Sequence, residues 1–192
     1  MGNLQSSELD CSLTSSLVSS LSSKLDSVAE RLIRHLAGRS LYLAAAESCT
    51  GGLVADALTR IPGASTCFWG SFVCYTSQAK NLMLGVGEDT LNKYGEVSKE
   101  TARLMALGAL EKSGADTAVS ITGLAGPGGA AGKQQNIPVG TVWIAAVLRD
   151  IDTAVKIKKC YFSGSRNEVR TQAAREALVQ ITELLETRLC LM

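Results

Sequence analysis

The segment around Ser48 contains residue types that could carry out nucleophilic catalysis. Ser48 follows three alanines and Glu47, and it precedes Cys49, Thr50, Gly51 and Gly52. A serine hydroxyl attacks an electrophilic carbon once a base removes its proton. Amide N–H groups near Thr50 and Gly51 are candidate donors to an oxyanion, and the glycines let a ligand approach the backbone closely. The simpler interpretation is a helix cap, in which Ser48 or Thr50 accepts a hydrogen bond from the first turn.

The base for such a serine is restricted by the histidine content. His35 is the only histidine, and it lies among leucines and isoleucine at helical spacing, far from the glycine-rich segments. A Ser-His-Asp triad and a histidine-rich metal centre are therefore poor candidates. A desolvated lysine is the best remaining base, because burial lowers the pKa of a lysine towards neutrality. We predict Lys80 for this role, against the simpler interpretation of a solvated surface lysine.

Further polar residues follow other apolar segments. Tyr75 and Thr122 are predicted to relay a proton or to orient an amide, and the glycines of segment 126–129 can bend around a phosphate. Tyr75 can instead be a strand aromatic with its hydroxyl in water, and Thr122 can belong to a simple turn. Cys49 is the rival nucleophile, although no histidine is available to form its thiolate.

The periodicity of apolar residues predicts an α/β fold that places these groups together. Helices are predicted at 25–36, 53–58, 80–84, 98–112, with Ser98 as the cap, and 168–189. Strands are predicted at 41–46, 66–75, 116–121, 140–148 and 154–162, the last two forming a hairpin around 150–152. Segment 85–95 is predicted to be a connection and 130–138 an exposed flap. Functional groups of an open α/β sheet converge beyond the strand ends, where Ser48, Tyr75, Lys80 and Thr122 all fall.

Composition favours one domain that acts on a small molecule. The 192 residues include 19 basic and 18 acidic side chains, with no long run of either sign, so neither nucleic acid nor a membrane surface is an expected partner. The six cysteines form no CxxC pair, which favours reduced thiols in the cytoplasm. No apolar run approaches about 20 residues, and no secretory signal is evident. Residues 1–23 are Ser-rich and are predicted to be a disordered or loosely helical extension; residues 24–192 are the predicted domain.

Several motifs together resemble the C-terminal domain of the CinA (competence/damage-inducible) family. They occur in the family's order across about residues 25 to 188. They are Glu47–Gly52, Tyr75 with Lys80, Thr122–Gly129, Pro138–Val142 and Phe162–Arg166.

The resemblance implies a single α/β domain with a mixed β-sheet flanked by helices. It also implies a bacterial amidohydrolase, free of metal and cofactor, that converts nicotinamide mononucleotide and water to nicotinate mononucleotide and ammonia in pyridine-nucleotide recycling. By motif, Ser48 would be the nucleophile and Lys80 its base, with Tyr75 and Thr122 assisting. Arg166 would contact the substrate phosphate. The remaining substrate-binding residues implied are Thr50, Gly51, Gly52, Gly123 and Gly126.

Three features depart from the family pattern. Ile137 precedes Pro-Val-Gly where the family often has lysine, and Lys133 lies four positions earlier. Larger members carry a pyrophosphatase-like N-terminal domain, whereas Ser-rich residues precede the resemblance here. The family also contains paralogues without amidase activity, so the alternative is a silent nucleotide-binding or regulatory module. A homo-oligomer is expected, with the apolar residues of the last helix as its interface.

Overall fold

Within residues 5–129, 134–149 and 153–189, which the computed structural model describes, five strands form one mixed sheet. In chain order they are β1 (Leu43–Glu47), β2 (Phe68–Val73), β3 (Thr117–Gly123), β4 (Thr141–Leu148) and β5 (Ala154–Tyr161). Across the sheet the order is β2-β1-β3-β4-β5. β2 and β3 run parallel to β1, whereas β4 is antiparallel to both β3 and β5.

Helices cover both faces of this sheet. In the described ranges they are α1 (Gln5–Ala37), α2 (Leu53–Thr59), α3 (Ser77–Leu84), α4 (Glu88–Tyr94), α5 (Lys99–Ser113) and α6 (Arg166–Leu189). Leu43 and Ala45 of β1 pack on the face with α1, α2 and α6, while Ala44 and Ala46 pack on the face with α3 and α5. β1 is therefore buried on both faces, and its alanines let both layers approach it closely.

The three parallel strands end at the same edge of the sheet. Glu47 at the end of β1 is level with Val73 of β2 and with Ile121 of β3. The segments that follow these strands therefore begin side by side. This register explains how Ser48, Tyr75 and Thr122, which are far apart in the sequence, come to one crevice.

The predicted fold class, a single α/β domain with a mixed sheet flanked by helices, is confirmed. The prediction that segment 85–95 is only a connection was wrong, because this segment contains α4. α3 begins at Ser77, before the predicted start at residue 80. The predicted turn at 150–152 and residues 130–133 of the flap, including Lys133, lie outside the described residues. α1 runs across the predicted boundary at residue 23, and the division into extension and domain stays a prediction.

The apolar side chains of α6 are buried within this chain. Leu178, Ile181 and Leu185 are fully buried in the core that α6 shares with α1 and the sheet. They therefore do not supply the oligomer interface that was expected from this helix. No helix in the described ranges combines the length and the apolar character needed to cross a membrane.

Candidate active site

Ser48 directly follows the last residue of β1 and is held there by the sheet. Its N–H donates to the carbonyl of Ile121 at 3.0 Å, which continues the β1–β3 pairing by one residue. The chain then turns through Gly51 and Gly52, which have φ angles of 60° and 96°, before α2 begins. Glycine adopts these left-handed conformations without the strain that a Cβ atom brings. The side chain of Ser48 is thus fixed at the mouth of the crevice.

Lys80 lies beneath Ser48. The hydroxyl of Thr76 caps α3 by accepting the N–H of Ala79, and Lys80 in the first turn projects inward, with no solvent exposure. Its Nζ donates to Ser48 Oγ at 3.1 Å and to two backbone carbonyls, those of Cys74 at 3.3 Å and Tyr75 at 3.4 Å. A neutral amine at this position would donate its two hydrogens to the carbonyls and direct its lone pair at the hydroxyl of Ser48. The surface-lysine interpretation is therefore wrong, and the distance from Ser48 suits proton transfer.

A cavity of about 220 Å³ opens beside this pair. Most of the residues predicted for the site line it. The predicted residues among them are Ser48, Tyr75, Thr122, Gly123, Gly126 and Arg166, and the others that line the cavity are Cys49, Glu96, Val97, Leu124, Ala125 and Gly128.

The helix-cap interpretation of Ser48 is also wrong, because α2 is capped by Gly52 without a side-chain hydrogen bond at that position.

Arg166, the first residue of α6, joins two walls of the cavity. Its guanidinium donates to the carbonyl of Gly126 at 2.7 Å and to the hydroxyl of Tyr75 at 3.1 Å. Tyr75 is a half-exposed side chain, but its hydroxyl has a protein partner and is not simply solvated. The nearby carboxylate of Glu168 accepts the N–H and the hydroxyl of Ser165.

Thr122 also lines the cavity. It is buried, and its hydroxyl donates to the backbone carbonyl of Glu96 at 2.7 Å. The carboxylate of Glu96 is itself 3.7 Å from Lys80 Nζ. No pattern in the sequence identified Glu96, which lies in a loop just after Gly95. Its position at the site is visible only in the fold.

Glu47 is a second carboxylate close to the site. It belongs to the sequence motif around Ser48, but no role was predicted for it from the sequence. It is fully buried, and it accepts hydrogen bonds of 3.0 Å from the N–H groups of Gly52, Val54 and Ala55. Its Oε1 also accepts the hydroxyl of Ser71 at 2.9 Å. A carboxylate satisfies the free N–H groups of a helix start and complements the helix dipole there. Glu47 therefore fixes α2 relative to β1, and with it the turn that carries Ser48.

Replacing Glu47 by glutamine should lower the free energy of unfolding by about 3 kcal/mol. One carboxylate oxygen becomes an NH₂ group that faces donors, and a lost hydrogen bond to a charged group costs about 1.5–3 kcal/mol. Chemical denaturation of the variant measures the change. Glu111→Gln, on the exposed face of α5, is the matched control. A loss below about 0.5 kcal/mol, the usual range of surface substitutions, would show that Glu47 does not stabilise α2 in this way.

The amides of the Ser48 turn are partly occupied by the protein itself. Gly51 donates its N–H to the carbonyl of Ser48 at 3.1 Å, and Gly52 donates to Glu47. The carbonyl of Thr50 accepts a hydrogen bond from the guanidinium of Arg170 at 2.7 Å. The buried hydroxyl of Thr50 has no partner among the described residues. Arg170 was missed by the sequence analysis. The substrate-binding roles of Thr50, Gly51 and Gly52 stay predictions, because a ligand would have to displace some of these contacts.

Cys49 also lines the cavity, and its side chain is buried. Burial raises the pKa of its thiol to about 12, and the nearby Lys80 offsets this only in part. Because only the thiolate reacts, we expect iodoacetamide to label Cys49 at least about 100-fold more slowly in the folded protein than after denaturation, at mildly alkaline pH. Peptide mapping by mass spectrometry measures the two rates. Equal rates would return Cys49 to consideration as the nucleophile.

The described residues contain no group of three or more His, Cys, Asp and Glu side chains placed to hold a metal ion. The predicted chemistry without metal stays a prediction. What the described geometry offers is a buried lysine amine in contact with a serine hydroxyl, beside a cavity with a guanidinium and a glycine-rich wall. This arrangement suits acyl transfer to serine from a small polar substrate.

Comparison with known sequences points to the same family as the motifs. A model of the CinA C-terminal domain matches residues 25–185. The nicotinamide-nucleotide amidohydrolase PncC of Enterobacter agglomerans is 47% identical over 139 residues, which cover 72% of this chain and 82% of that protein. A CinA-like protein of Akkermansia muciniphila is 42% identical over 157 residues, 82% of this chain but only 37% of its own length. The chain thus spans little more than a third of that larger relative.

Solved structures share the fold. The competence/damage-inducible protein CihA of Agrobacterium tumefaciens has a TM-score of 0.78 and 42% identity, covering 84% of this chain and 95% of that one. A CinA superfamily protein of Klebsiella pneumoniae has a TM-score of 0.78 and 32% identity, covering 85% and 98% of the two chains. The matched range 25–185 contains the positions of Ser48, Lys80 and Arg166. The chain belongs to the CinA C-terminal domain family.

Proposed function

We propose that this protein is an amidohydrolase that converts nicotinamide mononucleotide and water to nicotinate mononucleotide and ammonia. The observation that carries the proposal is the 3.1 Å contact between Lys80 Nζ and Ser48 Oγ beside the strand-end cavity. The substrate is supported by the name of the Enterobacter agglomerans relative, a nicotinamide-nucleotide amidohydrolase.

The proposed reaction proceeds through an ester of Ser48. Neutral Lys80 takes the proton of Ser48 while Oγ attacks the carboxamide carbon. The resulting ammonium group returns that proton to the amide nitrogen, so that the carbon–nitrogen bond breaks and ammonia leaves. Water then attacks the ester, with Lys80 as base again, and the proton returns to Ser48 as nicotinate mononucleotide is released. The buried amine of Lys80 therefore accepts a proton twice, first from Ser48 and then from water.

The cavity wall also suits the phosphate of the substrate. Arg166 lies beside Gly126, and a guanidinium together with glycine backbone amides is a common phosphate-binding combination. We assign the 5′-phosphate to this side and the carboxamide to the side of Ser48. The assignment requires that Arg166 exchange one of its present contacts, with Tyr75 or Gly126, for the phosphate.

Product analysis tests the function. Incubation with nicotinamide mononucleotide should yield equal amounts of ammonia and nicotinate mononucleotide by liquid chromatography and mass spectrometry. Nicotinamide riboside, which lacks the phosphate, should be a much poorer substrate. Folded protein that leaves the nucleotide intact would contradict the proposal.

A nucleotide-binding module without turnover is the second candidate. It is favoured by the relatives that carry only the name CinA-like protein, which states no activity. Both candidates bind the nucleotide, and only the amidohydrolase releases ammonia. Calorimetry that detects binding, combined with product analysis that detects no product, would favour the module.

Further proposals concern the cellular role, the location and the assembly. We propose a role in pyridine-nucleotide recycling, which follows from the reaction, and a cytoplasmic location. The location is supported by Cys49, Cys67, Cys74 and Cys160, all buried free thiols. A homo-oligomer stays a prediction that light scattering would decide.

A further inference from the structure

The carboxylate of Glu96 is the acidic group closest to the proposed base. Its Oε2 is 3.7 Å from Lys80 Nζ, and no other carboxylate in the described ranges forms an ion pair with Lys80. The two side chains differ sharply in environment, because that of Lys80 is fully buried and that of Glu96 is 45% exposed. Glu96 also lines the cavity beside Ser48. The Glu96 side chain thus borders both the cavity beside Ser48 and the solvent.

The backbone around Glu96 is fixed by several side chains. Thr122 donates its hydroxyl to the Glu96 carbonyl, and Gln134 both accepts the N–H of Val97 at 3.1 Å and donates to its carbonyl at 3.0 Å. The carbonyl of Gly95 accepts the hydroxyl of Thr101 at 2.7 Å. These bonds hold the loop on both sides of Glu96, as expected of a group whose position matters.

The side chain of Glu96 is fixed as well. Its Oε1 accepts a hydrogen bond from the hydroxyl of Ser77, the first residue of the helix that carries Lys80. The carboxylate is therefore attached to the same helix as the lysine. An ordinary surface ion pair holds two flexible side chains and contributes little. Here the lysine is buried and the carboxylate is held by a second bond, so the pair is preorganised.

We propose that Glu96 is a positioning residue that acts through Lys80 in the reaction proposed above. When Ser48 gives its proton to Lys80, a positive charge forms in a buried site. The carboxylate stabilises that ammonium group without taking its proton. The remaining acceptors of Lys80 are the neutral carbonyls of Cys74 and Tyr75, which offer only partial charges. A fixed charge placed where charge develops is an effective way to lower a barrier.

The test compares Glu96→Gln with Glu96→Asp. The glutamine variant keeps the size and loses the charge, so kcat should fall about 10- to 100-fold while KM stays within about threefold, since Glu96 acts in the charged step rather than in substrate binding. The aspartate variant keeps the charge and should recover part of kcat. Glu88→Gln, an exposed acid on α4, is the matched control and should leave both constants unchanged.

A second measurement separates this inference from the proposed function. A fluorophosphonate probe phosphonylates an activated serine with loss of fluoride and does not need the nucleotide. Its rate of reaction with Ser48 should fall in Glu96→Gln and recover in Glu96→Asp. If the wild type releases no ammonia but labels at Ser48, the substrate is wrong and the labelling rates still decide the role of Glu96. Turnover and labelling in Glu96→Gln within about twofold of wild type would overturn the inference while leaving the function intact.

Discussion

Ser48→Ala is expected to lower ammonia release from nicotinamide mononucleotide by at least about 10³-fold, because the variant has no oxygen with which to form the ester. The substitution removes one acceptor from Lys80, which keeps the carbonyls of Cys74 and Tyr75. The free energy of unfolding should therefore change by only about 1 kcal/mol. Nucleotide affinity by calorimetry should stay within about tenfold, since the cavity wall is otherwise unchanged.

The control for this variant is Ser65→Ala, at an exposed position away from the site. It should retain full activity. A Ser48→Ala protein that turns over at the wild-type rate would remove Ser48 as nucleophile, whereas a variant that fails to bind the nucleotide would indicate a binding role instead of a chemical one.

Lys80→Met is expected to lower ammonia release as strongly as Ser48→Ala does, because an unbranched apolar side chain of similar length fills the space but accepts no proton. The double variant should be no slower than either single variant, since a nucleophile and its base act as one unit. Lys112→Met, at an exposed position on α5, should be fully active. Additive losses in the double variant would mean that Ser48 and Lys80 act independently.

Lys80→Ala separates the chemistry from the packing. It should be as inactive as Lys80→Met, but less stable than that variant by about 2–4 kcal/mol, because it leaves a cavity in a fully buried site. Chemical denaturation of the two variants measures this difference. Equal stability would show that the neighbouring residues close over the deleted side chain.

Sequence patterns were sufficient for the elements that the core dictates. β1, β3, β4 and β5 contain buried apolar residues, and Phe68 and Phe72 of β2 are partly buried against the core. The predicted cap of α5 is confirmed by Ser98, whose hydroxyl accepts the N–H of Thr101. α4 was missed because no residue of it is buried, so it has no periodic apolar face to detect. α3 was predicted too late in the chain because its start depends on the Thr76 cap rather than on apolar spacing.

The predicted site residues were recognised by type and motif, but their mutual geometry depends on the fold. Ser48 and Lys80 meet only because β1 and β2 are parallel neighbours and α3 follows β2 directly. Glu47 had a detectable signal, since a carboxylate at the end of a buried strand needs donors and a helix start supplies them. Glu96 had none, because a loop residue carries no periodicity and its partner Lys80 lies on another element.

Ammonia release in the presence of a chelator, measured side by side for the wild type, Ser48→Ala and Cys49→Ser, tests the central claim most directly. We expect the wild type and Cys49→Ser to release ammonia from nicotinamide mononucleotide at similar rates, and Ser48→Ala to release none above background. Activity that survives in Ser48→Ala, or that disappears with Cys49→Ser or with the chelator alone, would contradict a metal-free serine nucleophile activated by Lys80.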